Sequence, residues 1–282
     1  MDIDQYRRWI GRVERRCDFV TAESGSALSA TLDRNDPEPV SGSETPPLLH
    51  WLCFWPNAPA SELDADGHPR RGGFLPPIEL PHRTWAGGRL TFLQPICFGD
   101  ELQRTSRVAD VRMRSGRHGD LAFVTVRHEV ESARGLVLTE EQDIVFRNRP
   151  SPNCAAIPGQ FPPARPAFSR TVVPDPVLLF RYSALTFNAH RVHYDRDWAT
   201  RMAGYPDLVV HSPLVATLLL DLLRRELPEV RVRGFAFKAV RPLFDLQPLT
   251  LNGRLAADAR SVELWAADHD QFLAMSASAE VG

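Results

Sequence analysis

The sequence predicts an α+β protein of two like halves, each an antiparallel sheet wrapped around a central helix. Strand-like alternation, punctuated by turn residues, runs from Trp85 to Arg147. The same order of elements returns between Phe235 and Val281. A helix that is apolar on nearly every side, Leu214 to Leu227, opens at Ser212-Pro213 and is stopped by Pro228.

Taken in order, Tyr6, Ile10, Val13 and Cys17 recur at helical spacing and predict a first helix from Asp4 to about Val20. A second helix is predicted over Ser24 to Leu32, followed by a polar, Pro-rich connector, Asp33 to Pro47. The WLCFW run (Trp51 to Trp55) reads as buried, and its periodicity fits a strand or a helix. Asn57 to Pro81 is rich in Pro and Gly and predicts a long surface loop, a type that is often functional when ordered. From Gly87 the segments GGRLTFLQPICFGDEL, LQRTSRVADVRMR, LAFVTVRHEVES and LVLTEEQDIVFR predict hairpin-linked strands. Turns fall at Gly99-Asp100, Gly116 to Gly119 and Ala133 to Gly135.

Asn148 to Pro176 is proline-dense and reads as an extended linker. It divides the chain into a first domain (1–149), the linker proper (150–176) and a second domain (177–282). In the second domain AFKAVRPLFDLQPL lies ungapped on the segment beginning at Arg89. Pro95 then falls on Pro242, Ile96 on Leu243 and Leu102 on Leu249. Both copies run a short strand into a proline bend and then a long strand. LTLNGRLAADA, SVELWAADHD and QFLAMSASAEV complete the second sheet, and duplication accounts for the matching order.

The 282 residues suit two domains, and a hydrophobic content of 43% with 24% charged residues is ordinary for a globular protein. A net charge of −2 argues against a nucleic-acid partner, and Arg7-Arg8, Arg15-Arg16 and Arg224-Arg225 read as solvated helix faces. Cys17, Cys53, Cys97 and Cys154 are scattered without a Cys-x-x-Cys pair, as expected of reduced thiols in a cytoplasmic protein. The N-terminus has no apolar core and does not read as a secretion signal. The longest apolar run, Leu214 to Leu223, is interrupted by Asp221 and is too short to span a membrane.

Proton-handling side chains concentrate in FRYSALTFNAHRVHYD (Phe180 to Asp195), which holds Asn188, His190 and His193. Asp195 is placed to cap the following helix, DRDWATRMA, which ends at Gly204, so His193 gains the fixed position that a general base requires. Asn188 and His190 either satisfy backbone groups of the loop or bind a water or substrate oxygen. His190 and His193 would share a helical face, but no neighbouring acid or cysteine in the sequence completes a ligand set, so no metal is predicted. His211 and Ser212 stand at the mouth of the apolar helix. There Ser212 caps, Pro213 takes the first helical position, and the free N–H groups suit a negatively charged oxygen. No Gly-x-Ser-x-Gly elbow and no nucleotide-binding glycine loop is present.

TFNAHRVHYD, GYPDLVVHSPLVATLLLDLL and FKAVRPLFDLQPL resemble the MaoC-like hydratases and dehydratases of the hotdog fold. With HRTWAGGRLTF upstream, the chain is most similar to the double-hotdog branch. That branch includes mesaconyl-C4-CoA and itaconyl-CoA hydratases and the type 2 hydroxyacyl-thioester dehydratases of mitochondria. The resemblance implies a double hotdog fold and a hydro-lyase that reversibly adds water to an enoyl thioester, best matched to a short dicarboxylic acyl-CoA. It implies no cofactor beyond the CoA-thioester substrate. In the family pattern an aspartate and a histidine five residues apart activate the water. His193 takes the histidine place and Asn188 the aspartate place, while His190 stands where the pattern has asparagine. Either His193 works alone with Asn188 orienting the water, or His190 shares the proton transfer; a gapped alignment instead puts Thr186 at the aspartate place.

The same resemblance sets the thioester carbonyl against the N–H of Ser212, beside His211, and matches Tyr182 to the tyrosine that opens the motif. The first half, lacking a histidine loop, is read as a degenerate hotdog that shapes the acyl pocket. Arg89, Arg241 or Arg181 could pair with an acyl carboxylate, and Trp85 is a further substrate-binding candidate. A 3-hydroxyacyl carrier-protein dehydratase, a thioester-binding hotdog without activity and a thioesterase stay open as other readings. A two-hotdog chain can pair its own halves, and association into a homodimer is left open.

Overall fold

A computed structural model describes residues 3–116, 119–148, 159–162, 165–257 and 260–282. Cys154, most of the linker's first half and the centre of the turn between Gly116 and Gly119 lie outside the described residues.

The first helix, α1 (Ile3–Arg7), is short, and Gly11, at φ +87°, ends the turns that follow it. Val13–Phe19 then form strand β1. This corrects the helix predicted over 4–20. VERRCDF alternates exposed and half-buried positions and pairs antiparallel with β3 (Glu101–Gly116), from Val13↔Arg107 to Phe19↔Glu101. Val13 and Cys17 fit a two-residue period as well as a helical one, and the sheet edge decides between them. Helix α2 (Ala22–Thr31) forms as expected, with the Thr21 hydroxyl accepting from the Ser24 N–H at 3.2 Å. The WLCFW run proves to enter on a 3-10 turn, Leu49–Leu52.

The first half continues with β2 (His82–Phe92), β3, β4 (Gly119–Ser132) and β5 (Gly135–Arg147). The second half has β6 (Phe168–Val172), α3 (Pro176–Leu185), α4 (Ser212–Glu226), β7 (Val232–Ala239), β8 (Leu249–Leu255), β9 (Ser261–Ala267) and β10 (Leu273–Val281). Strand β6 falls in the segment predicted as linker. FSRTV lies between linker prolines, where it can alternate and donate its N–H groups, and it adds to β8 as an edge strand.

The ten strands form one sheet in the order β1-β3-β4-β5-β2-β7-β10-β9-β8-β6. Outward from the central β2–β7 pair, β5, β4, β3 and β1 occupy the places of β10, β9, β8 and β6. Strand β1 leads into α2 as β6 leads into α3. The result is two hotdog sheets sharing a seam, with matching strand order in the two halves. At the seam Gly87 faces Lys238 and Gly88 faces Phe237. A Cβ on Gly87 would lie 2.7 Å from the Phe237 carbonyl oxygen, so this close approach requires glycine.

The two halves differ in what their sheets enclose. The second sheet wraps the 15-residue α4, whereas the described residues of the first half offer no helix of that length, and its α2 packs on α3 and the short Leu49–Leu52 turn. Helix α4 is buried from Leu214 to Leu223, and each leucine so placed contributes roughly 1.5–3 kcal/mol. Asp221, which breaks its apolar run, is buried but meets Arg34 (2.8 Å), Arg170 (2.9 Å) and Arg225 (2.8 Å). Arg34 comes from the first half, so this buried charge also ties the halves together.

Candidate active site

The histidine loop is built by α3 and the turn after it. Helix α3 starts under an Asp175 cap and ends at Leu185, and Thr186 donates its hydroxyl to the Tyr182 carbonyl at 2.8 Å. Thr186 therefore closes a helix, with its hydroxyl committed to the backbone. Asn188 turns the chain: its Oδ1 accepts the His190 N–H at 3.0 Å. A 3-10 turn, Arg191–His193, follows, and Asp195 caps the next segment by accepting from the Trp198 N–H at 3.0 Å. That segment becomes a π-helical turn, Trp198–Met202, before Gly204 at φ +76°.

His193 Nδ1 lies 2.7 Å from the carbonyl oxygen of Val209. A carbonyl only accepts, so Nδ1 carries the proton and Nε2 keeps its lone pair. Burial pushes His193 down to about 4, so it is a neutral base at pH 7. Its ring stacks on His211 at 3.7 Å between centroids and meets His190 edge-on at 5.2 Å. Burial, reinforced by the two other rings, holds His211 well below its ordinary value, and its Nε2 is bonded to Ser183 Oγ at 2.8 Å. Tyr182 lies edge-on to His211 at 5.1 Å, and burial pushes its phenol up.

At the mouth of α4 the cap differs from expectation by one residue. His211, at φ −62° and ψ 128°, occupies the N-cap position without a side-chain capping bond, and Ser212 is the first helical residue. Pro213 therefore takes the second helical position, still within the first turn, where its missing N–H breaks no helical bond. The Ser212 N–H has no backbone partner among the described residues, because it lies in the first helical turn. Ser212, His193, His190, Asn188 and Tyr182 all line one cavity of about 1560 Å³.

Sequence reasoning missed two members of this cluster, Asp66 and His68, which arrive from the long loop of the first half. The Asp66 carbonyl accepts the Arg191 N–H at 2.9 Å, and the Ala65 carbonyl accepts from the Arg191 guanidinium at 3.2 Å. Gly67, at φ +90°, packs so tightly that a Cβ would lie 1.8 Å from the Ala189 carbonyl oxygen. Here the loop cannot move without the histidine turn. His68 Nδ1 donates to Asp66 Oδ2 at 3.0 Å, leaving Nε2 open, and the His68 ring lies 4.1 Å from that of His190. Burial pushes His68 down to about 4, with Arg83 adding to the effect. Burial alone would raise Asp66, but its bonds from His68 outweigh that and hold the carboxylate well below its usual range. His190 is driven far down by burial and then by His68 and His193. The acid absent from the local sequence is thus supplied across the cavity. Asp66, His68 and His190 place one ligand atom each within 4.8 Å of one another, a spacing that could hold a divalent cation. The only signals in the sequence were the length of the loop and its Asp-Gly-His tripeptide.

The substrate-binding arginines divide. Arg89 points to the outer face of the sheet, paired with Glu141 (2.9 Å) and Asp143 (2.7 Å), and does not line the cavity. Arg181 donates to the Ala30 carbonyl at 3.3 Å, also outside it. Strand alternation and the helix face carry these two away. Arg241 lines the cavity but is paired with Asp268 at 3.2 Å. Trp85 lines it too, edge-on to Trp51 at 4.8 Å. The first half contributes a second buried group to the same walls. Glu140 accepts from Trp51 Nε1 (3.0 Å) and Gln142 (2.9 Å) and lies 3.1 Å from His50 Nε2.

A family model described as hydroxyacyl-thioester dehydratase type 2 matches residues 48–245. The mesaconyl-C(4)-CoA hydratase of Chloroflexus aurantiacus is 46% identical over 282 residues, covering 100% of both chains. The mitochondrial hydroxyacyl-thioester dehydratase type 2 of Schizosaccharomyces pombe is 27% identical, over 73% of this chain and 76% of its own. Among solved structures, a MaoC-like dehydratase from Phytophthora capsici superposes with a TM-score of 0.73 at 13% identity, covering 100% of this chain and 98% of that one. A Mycobacterium tuberculosis protein described as a double hotdog gives 0.57 at 16% identity over 97% and 96%. These structures share the fold. Among the described residues no helix is long and apolar enough to cross a membrane.

Proposed function

The chain belongs to the hydroxyacyl-thioester dehydratase type 2 family, and on that premise we propose that it is a hydro-lyase that reversibly adds water to the double bond of an enoyl-CoA thioester. The observation that carries the proposal is the neutral His193, its Nδ1 fixed on the Val209 carbonyl, in one cavity with the open amide of α4. In the hydration direction His193 Nε2 takes a proton from water as its oxygen bonds to the β-carbon. The π electrons shift through the α-carbon onto the thioester oxygen, giving an enolate. The Ser212 N–H stabilises that charge, a donor worth about 3 kcal/mol of barrier. The enolate then collapses and its α-carbon takes the proton back from the His193 imidazolium, so atoms and charge balance.

Asn188 is occupied in turning the loop, so the place of the family's aspartate is filled in space by Asp66 acting through His68. The pair orients the water and the His190 ring. Helix α4 and two sheets enclose the site within one chain, so no second copy is required to complete it. The chemistry needs no cofactor besides the thioester, and the free thiols of Cys17, Cys53 and Cys97 suit a reducing cytoplasm.

The substrate that similarity favours is a four- or five-carbon dicarboxylic acyl-CoA such as the mesaconyl-C4 or itaconyl thioester. Loss or gain of the enoyl-thioester absorbance with mesaconyl-C4-CoA, itaconyl-CoA and crotonyl-CoA tests it. Absence of turnover with all three, or turnover untouched by His193→Ala, sinks it. Running the carrier-protein thioester beside the CoA form decides which handle is used.

A further inference from the structure

We propose that Arg83 is the anchor for a free carboxylate on the acyl group and thereby sets a preference for dicarboxylic thioesters. The inference rests on the hydratase reading and names the part of the substrate that the cavity selects.

Arg83 stands on β2 opposite Phe146 and lines the cavity. Three other arginines are engaged. Arg71 donates to the carbonyls of Ile78, Leu80 and Pro81, Arg191 pairs with Asp195 at 2.7 Å, and Arg241 pairs with Asp268. Arg83 differs: among the described residues no carboxylate or carbonyl bonds its guanidinium, and Asp66 and Asp64 act on it only through space. Burial pushes the group down to about 10, which marks how poorly its charge is compensated. An enclosed cation without a partner is costly, and an anion from solution would offset that cost.

Position narrows the choice of anion. Arg83 is near enough to His68 and His190 for its charge to depress both. In a four-carbon enedioic thioester with CoA on C4, the free carboxylate is bonded to the carbon that receives the hydroxyl. Its receptor must therefore sit beside the water-handling histidines, where Arg83 is. The planar fork of a guanidinium matches two carboxylate oxygens. Pairing also removes the negative charge that would repel hydroxide arriving at the adjacent carbon.

Succinyl-CoA and butyryl-CoA, equal in chain length and unable to be hydrated, separate this subsite from catalysis. By titration calorimetry Arg83→Met should weaken succinyl-CoA by about 100-fold while shifting butyryl-CoA by less than about threefold. Arg83→Lys, which keeps charge but not the fork, should show about a tenfold loss confined to succinyl-CoA, and serves if the methionine variant is unstable. The kcat/KM ratio of mesaconyl-C4-CoA to crotonyl-CoA should fall in parallel. Equal weakening of both ligands would assign Arg83 to the CoA phosphates or to the scaffold, and no weakening would leave it without a ligand; either overturns the proposal. A wild-type protein that binds succinyl-CoA through Arg83 yet hydrates none of the thioesters would uphold the anchor and overturn the hydratase reading.

Discussion

The imidazole of His193 has one nitrogen committed to a carbonyl and one left for chemistry, so its removal should affect rate more than binding. His193→Ala is expected to lower kcat by about 10²–10⁴-fold with little change in substrate affinity, measured by steady-state kinetics and equilibrium binding. Because burial holds this base near 4, kcat/KM should stay level through neutral pH and drop as pH falls toward about 4, where the ring becomes protonated. A break near 6.5 instead would mean that the ring titrates like a free side chain. Asp66→Asn should cost about 10- to 100-fold in kcat by releasing the His68 tautomer, whereas Asn188→Ala should cost less than about tenfold because that amide only turns the loop. Comparison of the two variants tests which residue fills the acid's role. His193, His211 and Ser212 were legible because short-range signals mark them: a cap at Asp195 and a proline at 213. Asp66, His68 and Arg83 were not, since they come from more than a hundred residues away and only the folded sheet brings them to the site.

At the level of elements, the start of α4 offers a test that leaves the helix intact. Proline is well tolerated in the first helical turn, so Ser212→Pro should keep the fold while deleting the amide assigned to the thioester oxygen. A loss of about 10²–10³-fold in kcat is expected, against a small effect for Ser212→Ala, which keeps the N–H. The loop carrying Asp66 depends on Gly67, where a side chain would be strained at φ +90° and would collide with the Ala189 carbonyl. Gly67→Ala should therefore reduce turnover sharply with a small change in melting temperature, read by calorimetry beside the assay. Helix α4 was readable almost to the residue, because a proline at each end and an apolar surface interrupted only at Asp221 leave little competing conformation. The segment 4–20 was misread because its apolar positions satisfy two periods at once, and pairing with β3 is a tertiary fact that no local window contains.

Across the whole molecule, acid should unfold the protein earlier than its modest net charge suggests. His68, His128 and His193 sit near 4 when folded, against 6.5 for the free side chain. Between those values the unfolded chain binds more protons, so stability is complete above about 6.5 and falls as pH drops toward 4, by up to about 1.4 kcal/mol per pH unit for each histidine. Glu140, held at about 2 by bonds from His50 and Gln142 that outweigh its burial, extends the loss below its ordinary value of 4.5. Urea midpoints measured from pH 8 to pH 4 would show the decline, and a flat profile would contradict it. Duplication was visible in the sequence through the two proline bends, yet the continuous sheet was not, because the β2–β7 seam leaves no trace beyond the Gly87-Gly88 pair. Residues from both repeats meet across that seam, and no described strand lies between Arg147 and Phe168. Cutting the chain there and expressing the pieces separately should permit complementation: either fragment alone would be inert, and mixing would restore turnover in proportion to reassembly.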